Sequence, residues 1–228
     1  MKKSITALLV ATLLAGCSST SAASSKASTA ASSSTKDEPT AVVAELPAPQ
    51  DETKEYKANK DDEKATKCAV GVYSPDCSSI NSSNLKDYLG RTDVLYIDLR
   101  DYTDYAATHL RNFEVVPYFA AIMNTSGENI TQLYSGSVEE PVATYEESDE
   151  LLEAFFPKDT TIFFMCQSGG RVAKLMKLLE VKGYDMTKIY NVGGMAQYAT
   201  SEYTDITTQT GELVVEATYN FDGLTPAN

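Results

Sequence analysis

An α/β fold built on a doubly wound parallel sheet, with helices on both faces, follows from three observations. Apolar and β-branched runs at 94–97, 162–165 and 188–192 have strand length, and the first two lack the alternation of a half-exposed strand. Segments with apolar residues at helical spacing lie between and after them, at 149–156 and 171–182. Clusters of Gly, Ser, Asn and Pro separate the two kinds of segment, so strand and helix alternate along one globular domain expected at 65–200, with its core at 78–200.

From the start of the chain, Lys2 and Lys3 precede an apolar stretch at 5–14 that is too short to span a bilayer stably, so residues 1–16 read as a secretory signal. The stretch ends in Leu14-Ala15-Gly16-Cys17, which resembles a bacterial lipobox; the resemblance implies a lipid, palmitate-type anchor on Cys17 and a location outside the cytoplasm. The competing reading is an ordinary signal peptide that ends near a cysteine. Residues 18–36 are almost all Ser, Ala and Thr, and 37–64 are charged with three prolines, so 17–64 is expected to be a flexible tether. Docking of Val42, Val43 and Leu46 on a partner is the weaker alternative.

Cys68 and Cys77 come next, flanking a Ser74-Pro75-Asp76 turn. In an oxidising compartment the simplest reading is a disulfide between them, and the competing one makes either a resolving thiol for Cys166. Ser83 is placed to cap a short helix through Leu89. A buried strand at 94–97 follows, then a helix over 101–107 and a strand over 114–119. Residues 124–147 read as a long insertion before the helix at 149–156. After the strand at 162–165 come Cys166 and a helix over 171–182, then a strand at 188–192 and a helix at 194–199. The tail, 201–228, contains a run at 212–219 that fits either an added edge strand or a loose extension.

Cys166 sits between a strand end and a helix start, where unpaired N–H groups and the positive end of the helix dipole favour a thiolate over a thiol. Gln167, Ser168, Gly169 and Gly170 let the chain curl around the sulfur as an anion-binding nest, and Arg171 adds a fixed positive charge. The bland alternative is a core cysteine, which the Gly-Gly-Arg that follows makes less fitting.

Cys166-Gln-Ser-Gly-Gly-Arg171 resembles the active-site loop of rhodanese-like domains, in which a cysteine followed by x-x-Gly-x-Arg cradles a persulfide. Two further stretches are similar to the family in order and spacing: Val94 to Tyr105 with Thr108-His109-Leu110, and Ile189-Tyr-Asn-Val-Gly193-Gly194-Met-Ala-Gln-Tyr198. The chain departs from the pattern at Thr108, where glycine is usual, at Arg111-Asn112, where Pro-Gly is common, and at Tyr198, which replaces tryptophan. The resemblance implies a sulfurtransferase. Cys166 would be the nucleophile, residues 167–171 would hold the substrate, and the reaction would need no cofactor and no metal. A small sulfur donor and a thiol acceptor are the implied partners, with an exported redox protein as a further one. A persulfide-binding or redox module with little turnover is the alternative. Phosphatases of this fold use a cysteine loop one residue longer, so that chemistry ranks low.

His109, the chain's one histidine, matches a scaffold position of the family rather than a general base. Asp98 and Arg100 are expected to fix a turn through a local ion pair, with a pocket-lining role as the alternative. The net charge of −13 argues against nucleic acid and against direct adhesion to an anionic membrane, both of which need clustered Lys and Arg.

Overall fold

A computed structural model describes residues 45–59, 61–123, 132–208 and 222–227. The expected signal at 1–16, the anchor residue Cys17, the tether up to residue 44 and the possible strand at 212–219 lie outside these residues. Among the described residues no helix is long and apolar enough to cross a membrane.

The elements run in the order β1 (Glu55–Tyr56), β2 (Thr66–Lys67), β3 (Val94–Asp98), α1 (Tyr102–Ala107), β4 (His109–Leu110), β5 (Glu114–Val115), β6 (Tyr134–Gly136), β7 (Pro141–Ala143), α2 (Ser148–Phe155), β8 (Thr161–Cys166), α3 (Gly170–Val181), β9 (Ile189–Gly194), α4 (Met195–Tyr198) and β10 (Thr207–Thr208). The central sheet has four strands in the order β5-β3-β8-β9, all parallel. Alternation along β8 divides the core in two. Ile162, Phe164 and Cys166 face a cluster covered by α2 and α3 through Leu152, Val172, Leu175, Met176 and Leu179. Phe163 and Met165 face a second cluster with Tyr96, Tyr190, Val192, Leu110 and Tyr198. Both sides of β8 are therefore dry, which is why its sequence carries no polar face.

Several sequence expectations are corrected. The strand expected at 114–119 stops at Val115, because Pro117 has no N–H for a ladder; a wide turn over Tyr118–Ile122 follows, closed by the Met123 N–H on the Tyr118 carbonyl. The helix expected from Ser83 is a 3-10 turn over Leu85–Tyr88. Ser83 does not cap it; its N–H and hydroxyl both donate to Asn81 Oδ1. The insertion contains the hairpin β6–β7, paired from Tyr134 with Ala143 to Gly136 with Pro141; residues 124–131 are outside the description.

The tether does not extend to residue 64. Leu46 packs on the second core cluster, the Tyr190 hydroxyl donates to the Pro47 carbonyl at 2.6 Å, and β1 pairs with β2. The tail also folds back: β10 pairs with β4, and Tyr203 is buried with its ring 4.9 Å from that of Tyr198.

Candidate active site

Cys166 is the last residue of β8, at the carboxyl edge of the central sheet, where chemistry in open parallel sheets concentrates. It is a free cysteine and only 1% exposed. The chain turns sharply behind it: Gly169 has φ +85°, a left-handed conformation that favours glycine, and its N–H donates to Cys166 Sγ at 3.1 Å. α3 begins at the next residue, so the sulfur lies at the helix's positive end. The Gln167, Ser168 and Gly170 side of the loop is exposed.

β9 supports this loop from beneath. The β8–β9 register slips between Phe164, which faces Asn191, and Cys166, which faces Gly194, so β9 carries one extra residue in a bulge beside the site. At the bulge, Gly193 has φ +90°. A Cβ on Gly194 would fall inside the Gln167–Ser168 peptide, so that glycine is required by space rather than by its extended backbone. The Ala196 N–H then donates to the Gln167 carbonyl at 3.1 Å.

Arg171 is expected to supply a positive charge for the substrate. Its Nη1 donates to the Leu99 carbonyl at 3.4 Å and lies 3.9 Å from Asp101 Oδ2, while its guanidinium carbon sits 5.6 Å from the Phe119 ring centre. The arginine thus ties α3 to the loop after β3, and its side chain stays 17% exposed at the rim.

Asp98 and Arg100 form a buried pair. Arg100 Nη2 donates to Asp98 Oδ2 at 2.7 Å and to the Thr108 carbonyl at 2.7 Å, and the backbone N–H of Arg100 donates to Asp98 Oδ1. Burial pushes the Asp98 carboxyl up, and the Arg100 hydrogen bonds and charge oppose that push. With 0% and 2% exposure, neither lines an accessible pocket. His109 stacks on Tyr105 with ring centres 4.0 Å apart, and its Nδ1 lies 2.8 Å from the Tyr105 carbonyl oxygen, a scaffold arrangement.

Cys68 and Cys77 are joined by a disulfide, with Cα atoms 5.5 Å apart. Among the described residues no cluster of His, Cys, Asp and Glu is arranged to hold a metal ion. Sequence reasoning missed Asn191, whose side chain touches the cysteine loop. The available signal was an amide in the middle of an otherwise apolar strand.

The model of the rhodanese-like domain family matches residues 81–201, more than half the chain. Among solved structures, an E. coli rhodanese with anions is 16% identical, covering 51% of this chain and 98% of its own, with a TM-score of 0.32. A rhodanese-like domain protein from Staphylococcus aureus is 22% identical, covering 54% and 91%, with a TM-score of 0.35. No curated protein matches the chain.

Proposed function

Because the chain belongs to the rhodanese-like domain family, we propose that it is a sulfurtransferase that carries sulfane sulfur as a persulfide on Cys166. The observation that carries this reading is the one free thiol among the described residues, at the end of the central strand with the Gly169 N–H on its sulfur. In the first half-reaction the Cys166 thiolate attacks the outer sulfur of thiosulfate. The new Sγ–S bond forms as the old S–S bond breaks, and sulfite leaves with the bonding pair. The Gly169 amide and the α3 N-terminus stabilise the negative charge on the sulfurs. In the second half-reaction a thiophilic acceptor, cyanide in the assay or a thiol in the cell, takes the outer sulfur and returns the thiolate.

Membrane attachment through lipid on Cys17, outside the cytoplasm, belongs to the same proposal, as does an exported thiol protein as acceptor. They rest on the lipobox-like Leu14-Ala15-Gly16-Cys17 and on the charge of −13, which leaves lipid rather than basic patches as the means of attachment.

Burial of Cys166 to 1% exposure favours a second reading, a domain that holds a persulfide for a partner with little turnover of its own. One experiment separates the two. The full-length protein and Cys166→Ser are assayed for thiocyanate from thiosulfate and cyanide, and intact masses are taken after thiosulfate alone. Thiocyanate formed by the wild type and lost in the variant is the expected result. A gain of one sulfur without thiocyanate selects the second reading. Neither signal overturns both.

A further inference from the structure

The family match begins at residue 81, yet residues that precede it close over the cysteine loop. The disulfide makes a small loop of residues 68–77, and both of its cysteines are buried. Inside that loop the Ser74 hydroxyl accepts from the Asp76 N–H and starts a 3-10 turn at Pro75. The turn lays the Pro75 ring against Gly169: a Cβ built on Gly169 would be 2.6 Å from Pro75 Cγ and 2.7 Å from its Cβ.

Asn191 completes the connection. Its Nδ2 donates to the Tyr73 carbonyl at 2.8 Å and to the Gly169 carbonyl at 3.1 Å, while its Oδ1 accepts the Gly193 N–H at 3.0 Å. One amide, 3% exposed, therefore joins the disulfide-closed loop, the cysteine loop and the bulge of β9. The closed loop is itself held from behind. Asp51 N–H donates to the Cys77 carbonyl at 2.8 Å, Cys68 N–H to the Lys54 carbonyl at 3.0 Å, and Lys54 Nζ to the Ser78 carbonyl at 2.7 Å.

We propose that the disulfide-closed segment 68–77 is a positioning element of the sulfur site, acting through Pro75 and Asn191 on Gly169, so that sulfur transfer depends on the closed Cys68–Cys77 bond. Gly169 has the widest backbone freedom of any residue type, and its N–H is the group that meets the sulfur. A ring against its Cα and a hydrogen bond on its carbonyl remove that freedom from both sides. Opening the disulfide frees Tyr73 and Pro75 to move away, and the Gly169 peptide loses its reason to keep that orientation. The consequence for transfer rests on the sulfurtransferase reading; the positioning itself does not.

Thiol and phosphine reductants would themselves take the sulfane sulfur, so the bond is removed by substitution in the full-length protein. Cys68→Ser/Cys77→Ser, Asn191→Ala and Pro75→Gly are compared with the wild type well below their melting temperatures. Persulfide formation on Cys166 in a single turnover with thiosulfate is expected to slow about tenfold in the first two, the worth of one well-placed hydrogen bond. The KM for cyanide should barely move. Amide hydrogen exchange should speed up in the peptide spanning 166–171, and adding Pro75→Gly to the serine pair should cost less than Pro75→Gly alone, because the two changes act through one contact. Lower melting temperatures with unchanged persulfide rates and unchanged exchange at 166–171 would overturn the proposal. If the serine pair does not fold, Cys68→Ala/Cys77→Ala, which buries no hydroxyl, tests the bond in its place, and Asn191→Ala and Pro75→Gly, which keep the disulfide, test the contact with Gly169 separately. If the wild type forms no persulfide, the sulfurtransferase reading fails and hydrogen exchange still tests the positioning.

Discussion

Gly194 is the residue on which the cysteine loop rests. Its backbone is extended, at φ −158°, so alanine would suit the local conformation, but the added methyl would overlap the Gln167–Ser168 peptide. The loop must rise to make room, and displacements near 1 Å at a reacting centre cost about a hundredfold in rate. Gly194→Ala is therefore expected to cut single-turnover persulfide formation about a hundredfold while the circular dichroism spectrum stays that of the wild type; an unchanged rate would show that the loop does not need this support. The need for glycine at 169 was legible, because a thiol followed by Ser-Gly-Gly has to curl. The roles of Gly194 and Asn191 were not, because the groups they meet, the Gln167–Ser168 peptide and the Tyr73 carbonyl, come from distant parts of the chain.

The turn from β3 into α1 depends on the Asp98–Arg100 pair, which is placed where two elements end. Arg100 neutralises the strand's last carboxylate and also caps the carbonyls of Asp104 and Thr108 at the far end of α1. Removing one partner of a buried pair leaves an uncompensated charge, and Arg100→Met should cost roughly 3–5 kcal/mol in urea unfolding. Asp98→Asn/Arg100→Met should recover part of that loss. The pH dependence has a definite sign. Burial raises the Asp98 carboxyl in the folded chain, so its proton is held there more readily than in the unfolded one. The penalty in Arg100→Met is thus smallest in acid, below the usual carboxylate range, and grows as pH rises through the folded value. A penalty independent of pH would show that the carboxylate is not its source. The ion pair was readable from Asp-Leu-Arg at a strand end. The end of β5 is hidden in the sequence because the run Val115-Val116-Pro117-Tyr118-Phe119 is apolar throughout, and the missing proline N–H outweighs that apolarity.

Across the whole molecule, the central sheet was the part most plainly written, since strands buried on both faces have no polar side to disguise them. The N-terminal cover is hidden in the sequence because residues 45–64 are charged and proline-bearing, and Pro47, Asp51 and Lys54 are held by hydrogen bonds, two of them to the disulfide-bonded Cys68 and Cys77, rather than by an apolar stripe. The tyrosines give the molecule a common response to alkali. Burial pushes Tyr118 up to about 12, and it pushes Tyr73, Tyr134, Tyr184 and Tyr198 still higher. In the unfolded chain all of them ionise near ~10. Their contribution to stability is complete below that pH and is lost as pH rises through the folded values. Urea midpoints should accordingly fall steeply from about pH 10 upward, with phenolate absorbance rising in a second, cooperative step as the chain unfolds. A flat stability profile there would mean the phenols are not enclosed. The parallel pairing of β3 with β8, from Val94 with Thr161 to Asp98 with Met165, also has a kinetic side. Everything from α1 to α2 is looped out between the two strands, a long-range pairing of the kind that slows folding. The entropy of closing such a loop grows only with the logarithm of its length, about 0.6 kcal/mol for a doubling. Adding residues at the exposed β6–β7 turn, beside Glu139 and Glu140, is therefore nearly free for the sheet, while Leu133 and Tyr134 at the base of the hairpin stay fixed in the core with the strands around Cys166.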